Sequence, residues 1–428
     1  MARKMKDSGI EWIGEIPEGW EVIPAKFLFK NSDIRRIADD EQLTASQQFG
    51  IISQKDYTEL TGSKVVLANK GLEDWKHVKP FDFIISLRSF QGGLEMSEIT
   101  GCITWHYIVL KSCHKICSYY YKWLFKSDSY IRALQRTCSF IRDGQDLRYS
   151  NFIQVPLFEP PLAEQEKIAD YLNAECFRID AMLTKTRSSI EEYKKLKQAV
   201  ITQAVTKGIR GEREIKDSGI EWIGEIPKEW GRTKIKMIAS FFNGDRTSRY
   251  PQPSDFVDSG VAFLTSRNID SDEVDLSETK YITDDKYKSL SGAKIQIDDI
   301  IFCLRGSVGK CAINRTLSCG TVASSLATIR PKDIYPEYLL YFLLSNIAST
   351  QTTIFMNGTC AANLSAESVG NYYITLPISA EQKEIANYLD AKCAEIDGLI
   401  AKKEQLVKEL ESYKKSLIYE VVTGKREV

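Results

Sequence analysis

Ala163-Glu-Gln-Glu-Lys-Ile-Ala-Asp-Tyr-Leu-Asn-Ala-Glu-Cys-Phe-Arg-Ile-Asp180 returns as Ala380-Glu-Gln-Lys-Glu-Ile-Ala-Asn-Tyr-Leu-Asp-Ala-Lys-Cys-Ala-Glu-Ile-Asp397. Adding 217 carries Ile168, Tyr171, Leu172, Cys176, Ile179 and Asp180 onto Ile385, Tyr388, Leu389, Cys393, Ile396 and Asp397, and further on Ile201, Val205 and Thr206 onto Ile418, Val422 and Thr423, without a gap. A repeat held in order over this length describes an architecture. The chain is two copies of one unit, each ending in a long charged helix, Ala163–Thr206 and Ala380–Thr423.

Apolar residues recur along each helix at alternating spacings of four and three. The first seam runs Leu172, Cys176, Ile179, Leu183, Thr186, Ile190, Tyr193, Lys197, Val200, Ala204. The second runs Leu389, Cys393, Ile396, Ile400, Lys403, Val407, Leu410, Lys414, Leu417, Val421. This is a coiled-coil seam with polar residues at two matching places, Thr186/Lys403 and Lys197/Lys414, where register is expected to be held. Each helix offers one stripe, and the obvious partner of each is the other. Pairing about an approximate twofold axis across the helices makes them antiparallel. A helix of 44 residues then spans roughly 66 Å, or up to about 19 base pairs of duplex. Gly208 and Gly424 stop the helices, as glycine past a helix end commonly does. Before them stand Pro160-Pro161 and Pro377, which disfavour helix in the preceding residue. Ser379-Ala-Glu-Gln382 fits a capping box, whereas the first copy has Leu162 in place of the serine.

Outward from the helices, Lys6-Asp-Ser-Gly-Ile-Glu-Trp-Ile-Gly-Glu-Ile-Pro17 with Trp20 recurs unchanged as Lys216–Pro227 with Trp230, at an offset of 210. It reads as a strap on its own domain, with docking of a partner as the alternative. The second copy therefore gains seven residues before Asp82, after which the 217 register holds. Phe83–Leu87 and Ile300–Leu304 read as buried strands, each preceded by Asp and closed by a glycine-containing turn. Tyr119–Phe125 and Tyr338–Leu344 read as amphipathic helices. Each half thus mixes α and β.

A chain of 428 residues exceeds what one core usually fills, and 43% hydrophobic with 27% charged residues is the composition of a folded protein. The N-terminal residues carry no apolar stretch usable as a secretory signal, and no apolar run is long enough for a membrane span, so a cytoplasmic location with no membrane partner is expected. The ten cysteines are scattered, and reduced thiols are expected. A net charge of −1 means that any surface for nucleic acid is local.

Catalytic and metal-binding patterns do not emerge. Gly306-Ser-Val-Gly-Lys310 has two residues between its glycines where a phosphate loop needs four, and Cys311 follows the lysine. Cys113-His114-Lys-Ile-Cys117 does not match a zinc finger or ribbon. No Asn-Pro-Pro-aromatic methyltransferase loop and no nuclease cluster is found. Neither catalytic residues nor metal ligands are expected.

Charge read by segment is more informative. Gly101–Val155 has eight Lys/Arg against three acids, and Ile301–Lys332 has five Lys/Arg and no acid, so both are candidates to face phosphates. Asp255–Asp285, with nine acids and two bases, faces elsewhere. Glycine-containing turns flank the basic segments: Arg88-Ser-Phe-Gln-Gly-Gly93, Arg142-Asp-Gly-Gln145 and Arg305-Gly-Ser-Val-Gly-Lys310. Arg grips guanine and Gln grips adenine through paired hydrogen bonds, and glycine lets the backbone approach. The candidate DNA-binding residues are Arg88, Ser89, Gln91, Arg142, Gln145, Arg148, Arg305, Ser307, Lys310 and Arg315. The candidate helix-pairing residues are Leu172, Ile179, Leu183, Ile190, Leu389, Ile396, Ile400 and Val407.

The doubled Ser-Gly-Ile-Glu-Trp-Ile-Gly-Glu-Ile-Pro, Ile84-Ile-Ser-Leu-Arg-Ser-Phe-Gln-Gly-Gly93, Phe140-Ile-Arg-Asp-Gly-Gln145 and the two Glu-Gln helix openings together resemble the specificity subunit of type I restriction–modification systems. The second half departs from it, with Gly358-Thr-Cys-Ala-Ala-Asn363 in place of the Arg-Asp-Gly-Gln loop. The resemblance implies an α+β chain of two pseudo-twofold-related α/β target-recognition domains separated by a long antiparallel helical coiled coil. The expected division is 1–160 and 210–377 for the recognition domains, with 161–209 and 378–428 for the helices. It further implies a non-catalytic subunit that reads a bipartite site in double-stranded DNA. Two methyltransferase subunits and two restriction/translocase subunits would join it, and S-adenosylmethionine, ATP and Mg would be bound by those partners. The alternatives are a methylation-only complex and a coiled-coil adaptor without DNA readout.

Overall fold

The computed structural model describes residues 3–46, 48–63, 71–85, 94–137, 147–269, 272–356 and 363–428. The chain forms two compact units, Met1–Thr186 with Gln405–Val428, and Arg187–Glu404. Each unit therefore combines one head with part of both long helices, a division different from the linear one that the sequence suggests.

In the first unit a four-stranded antiparallel sheet runs in the order Phe29–Ser32, Ile108–Ser112, Phe83–Ile85, Glu95–Met96. The second unit repeats it as Ala239–Asn243, Leu326–Pro331, Ile300–Cys303, Cys311–Ile313. Phe83–Ile85 and Ile300–Cys303 are buried throughout, as their apolar runs require. The expected short helices form as Ser118–Phe125 and Pro336–Leu344. Phe29, Phe83, Tyr121 and Phe125 pack edge to face or tilted, with centroids 5.0–5.9 Å apart, geometry that aromatic quadrupoles favour. The second unit adds a sheet that has no counterpart in this form among the described residues of the first, ordered Phe256–Val257, Lys280–Ile282, Val261–Leu264, Gly320–Val322.

Both straps are short hairpins, Met5–Asp7 against Glu15–Pro17 and Ile215–Asp217 against Glu225–Pro227. Their turns use Gly9 and Gly14, and Gly219 and Gly224, all at positive φ. Ile13, Ile16 and Trp20 are buried in the first core and Ile223, Ile226 and Trp230 in the second. The strap thus packs on its own head.

The long helices run Leu162–Lys207 and Ser379–Val422. Within the first unit, Lys414 Nζ meets Asp180 Oδ1 at 2.6 Å and the Arg426 guanidinium lies 6.0 Å from the Tyr171 ring. Ascending one helix means descending the other, so the pair is antiparallel. Within the second unit, Lys197 Nζ meets Asp397 Oδ2 at 2.8 Å and Lys403 Nζ lies 5.6 Å from the Tyr193 ring, again antiparallel. Leu172, Ile179, Leu183, Ile190, Leu389 and Ile396 are buried, while Ile400 and Val407 are half-buried. The stripes do more than face each other: Leu172, Ile179 and Leu183 share a core with the first head and with Leu417, Ile418, Val421 and Val422.

The expected capping box at Ser379–Gln382 is replaced by a longer-range clamp. Gln382 Oε1 accepts from Tyr335 N–H at 2.8 Å, and its amide donates to Pro377 O at 2.9 Å. Gln165 does the same in the first unit, accepting from Cys117 N–H and donating to Pro160 O, each at 2.8 Å. Tyr335 and Cys117 precede the short helices of the two heads, so the glutamine joins a donor orphaned at one helix start to another helix. The neighbouring glutamates complete the join. Trp20 Nε1 donates to Glu164 at 2.9 Å and Trp230 Nε1 to Glu381 at 3.0 Å, with Arg3 and Arg213 paired to the same carboxylates.

Candidate nucleic-acid interface

Strand register brings the loops of the second head together. Cys303 lies opposite Leu326, and Asn243 opposite Ala327, so the segments following Asn243 and Cys303 leave the sheet at the same end. Leu364 N–H donates to Leu304 O at 2.9 Å, which brings the segment around Asn363 to that end too.

The turn after Ile300–Cys303 is built by Gly306 and Gly309, both at positive φ, and Gly309 N–H donates to Cys303 O at 3.1 Å. Arg305 forms a bridge to Asn363, and its Nε donates to Asn363 Oδ1 at 3.1 Å. This holds the base of the side chain while leaving the residue exposed, as Ser307 and Lys310 are.

The loop after Asn243 is fixed by Asp245, a buried carboxylate. Its Oδ1 accepts from the Thr247 N–H and hydroxyl, both at 2.7 Å, and its Oδ2 accepts from the Ser291 N–H at 2.8 Å and hydroxyl at 3.1 Å. Burial alone would raise its pKa, but these four donors hold it well below the usual carboxylate range. The backbones meet closely here: a Cβ on Gly244 would sit 2.2 Å from Ala323 O, and one on Gly292 2.4 Å from Asp245 N. The rigid loop carries Arg246 and Arg249, both exposed. Four exposed cations, Arg246, Arg249, Arg305 and Lys310, therefore project from loops at one end of one sheet. Arg246 and Arg249 escape a reading based on basic segments. The signal for them is local, an Asp followed two residues on by a hydroxyl side chain, which fixes a turn between two arginines.

The first head has the corresponding arrangement. Ser32 lies opposite Val109 and Ile85 opposite Ile108, so Ser32 and Ile85 lie at the same end of the sheet. Arg35 and Arg36 follow Ser32, with Arg35 paired to Asp74 at 3.1 Å. Asp33, Arg35, Asp74, Lys76 and Trp105 line a cleft, where the exposed Trp105 ring stacks 3.5 Å from His106. Arg88, Ser89, Gln91, Arg142 and Gln145 lie outside the described residues. Arg148 is exposed at the start of the Tyr149–Phe152 helix, its N–H donating to Asn151 Oδ1 at 3.0 Å.

Several cations of the two basic segments are occupied by acids from elsewhere in the sequence. Arg315 binds Asp298 at 2.6 Å and Glu337 at 2.5 Å, and Arg330 binds Asp299 through two nitrogens at 2.8 Å. In the first head Lys122 pairs with Glu98 at 2.9 Å, Lys126 with Glu95 at 2.7 Å and Arg136 with Glu11 at 3.3 Å. Arg315 is committed inside its own head and does not join the four cations above. Counting charge in a linear window overstated these segments because the fold imports carboxylates into them.

Among the described residues no group of three or more His, Cys, Asp or Glu is placed to hold a metal ion, and the described cysteines are free thiols. No described helix is long and apolar enough to cross a membrane.

Residues 227–409 match the type I restriction modification DNA specificity domain. The chain is 26% identical over 280 residues to the type I restriction enzyme MjaVIII specificity subunit of Methanocaldococcus jannaschii, covering 64% of this chain and 62% of that one. It is also 26% identical over 248 residues to the EcoBI specificity subunit of Escherichia coli, covering 56% and 52%. The matches thus span less than two thirds of these relatives' own length. The fold resembles the HsdS subunit of Thermoanaerobacter tengcongensis with a TM-score of 0.54 at 15% identity, covering 96% of this chain and 98% of that one. It also resembles a chain solved in work on complex assembly and conformational transition of the type I R-M system, with a TM-score of 0.70 at 14% identity over 95% and 98%. Residues 227–409 are thus similar in sequence to the DNA specificity domain of type I restriction–modification systems, and the chain has the fold of the HsdS neighbour.

Proposed function

We propose that this chain is the non-catalytic reader of a type I restriction–modification complex. Each head recognises one half of a bipartite site in double-stranded DNA, and the paired helices set the unspecified gap between the halves. Methylation with S-adenosylmethionine and ATP-driven, Mg-dependent cleavage belong to two methyltransferase and two restriction/translocase subunits assembled on it.

The observation that carries this reading is the convergence of Arg246, Arg249, Arg305 and Lys310 at one end of a sheet, on loops locked by Asp245 and Asn363. Cations held on rigid elements meet phosphates and base edges with little ordering cost, and Arg305 has the guanidinium geometry for a paired contact with guanine. The deciding experiment maps methylated adenines in DNA from cells with and without the gene. A split motif that disappears on deletion is expected, and an unchanged methylation map would refute the reading. In the purified complex, Arg305→Ala is expected to weaken specific binding by about 1–3 kcal/mol while affecting random duplex less. Equal loss on both would reduce Arg305 to a phosphate contact.

A further inference from the structure

One turn differs sharply between the two heads. In the first, Gly101–Ile103 passes to Ile108–Ser112 through Thr104-Trp-His-Tyr107. In the second, Gly320–Val322 passes to Leu326–Pro331 through Ala323-Ser-Ser325. Leu110 lies opposite Phe83 as Ile329 lies opposite Ile300, so both turns lead into the same strand of the shared sheet. Small residues close the turn in one head, so the fold does not call for aromatic ones in the other.

Trp105 is 56% exposed, and its indole N–H has no hydrogen-bond partner among the described residues. A single exposed apolar side chain means little by itself, but this one is held and placed. The Tyr107 N–H donates to Thr104 O at 3.0 Å, which fixes the turn, and the Trp105 ring stacks on His106 with centroids 3.5 Å apart. The indole is thereby a flat, pre-ordered surface with little freedom left to lose on binding. Ile108 lies opposite Ile85 and Val109 opposite Ser32, so the turn before Ile108 stands at the end of the sheet where Ser32 finishes its strand. Asn243 finishes the matching strand of the second head's sheet, and the loops with Arg246, Arg249, Arg305 and Lys310 lie at that end.

The charge around the indole is already balanced. Asp33, Arg35, Asp74 and Lys76 line the cleft beside Trp105, with Arg35 paired to Asp74 at 3.1 Å and Lys76 to Asp33 at 2.8 Å. A neutral rim gains little from phosphate. What remains uncommitted is one apolar ring and one N–H donor. In the major groove a single base offers the complement of both: thymine shows its C5 methyl beside the O4 acceptor. Cytosine shows a donor without a methyl, and the purines show no apolar group.

We propose that Trp105 reads a thymine in the half-site of the first head, packing against its C5 methyl and donating the indole N–H to O4. The inference rests on the function proposed above, and it gives the first head an apolar contact at the place where the second has Ala323-Ser-Ser325.

The test uses the full chain purified with its methyltransferase subunits and a duplex carrying the motif found by methylation mapping. Each thymine is replaced in turn by deoxyuridine, which removes the methyl and keeps O4, and affinity is read by fluorescence anisotropy. Wild type is expected to lose about fourfold at one thymine of one half-site, the worth of one buried methyl group. The Trp105→Ala complex should bind the unmodified site about tenfold more weakly and show no further loss from deoxyuridine at that position. Its melting temperature should stay within a few degrees of wild type. Arg305→Ala, in the other head, should leave the fourfold effect intact. Deoxyuridine effects that are absent, or that are the same in wild type and Trp105→Ala at every position, would overturn the proposal. So would an equal loss by Trp105→Ala on specific and random duplex, or loss of methyltransferase subunits from the variant complex in light scattering, which would make Trp105 a protein contact. A wild-type complex that does not prefer a mapped split motif over random duplex would instead remove the functional reading, and this inference with it.

Discussion

Gln382 is a small residue decision with long reach. Its side chain is buried and satisfies two backbone groups, the Tyr335 N–H and the Pro377 C=O, that no other described group reaches. Gln382→Ala leaves both unpaired, and the expected cost is about 2–4 kcal/mol, read as a lower urea midpoint. A loss under about 1 kcal/mol would mean that water replaces the amide. Asp245 makes a pH-dependent counterpart. Its pKa is depressed in the folded state, so its contribution is complete above the unfolded carboxylate value of about 3.9 and is lost as pH falls below it toward the folded value. Asp245→Asn puts an amide donor where a second acceptor is needed. The variant should be less stable at neutral pH and should show a shallower acid limb in stability against pH. It should also bind DNA more weakly, because the Arg246 and Arg249 loop loses its anchor.

At the level of elements, the seam spacing disclosed the long helices almost to the residue, and the two glycines after them are found at positive φ, Gly208 at 77° and Gly424 at 68°. The polar interruptions were legible as positions but not as interactions. Lys197 and Lys414 turned out to reach Asp397 and Asp180, related to each other by the same 217 offset as the lysines. Spacing along one helix cannot reveal a partner on another, nor that Lys197 also meets Asp272 of its head at 3.3 Å. The same limit explains the overcounted basic segments and the missed loop arginines. Contacts such as Arg315 with Glu337 or Asp245 with Ser291 join residues that only the fold brings together. The paired charges are partly exposed, so Lys414→Ala should cost no more than about 1 kcal/mol. Lys414→Asp, which faces Asp180 with a like charge, should cost more, and adding Asp180→Lys should restore most of the loss. A double-mutant cycle with no coupling would show that the pair does not hold register.

On the scale of the whole chain, the two heads share a four-stranded sheet and differ in the sequence of the segments that connect its strands, which suits the proposed reading of two different half-sites. In sequence, the Arg305 turn and Asn363 of the second head align with Arg88-Ser-Phe-Gln and the Arg-Asp-Gly-Gln stretch of the first, so under the proposed function half-site identity belongs to the loops. Spacing belongs to the helices under the proposed function, and the two properties should separate experimentally. One heptad inserted after Thr186 and one after Glu404, at the boundary between the compact units in both helices, keeps the seam pattern. It adds about 10 Å of helix, close to three base pairs. Methylation mapping of cells carrying this variant should recover the same two half-sites with a gap longer by about three base pairs. The added heptad also turns one head relative to the other by about 20°, because seven residues are slightly less than two helical turns, while three base pairs of duplex turn about 100°. The mismatch predicts weaker methylation at the lengthened site than at the parental one. Altered half-sites with an unchanged gap would defeat the division of labour between loops and helices.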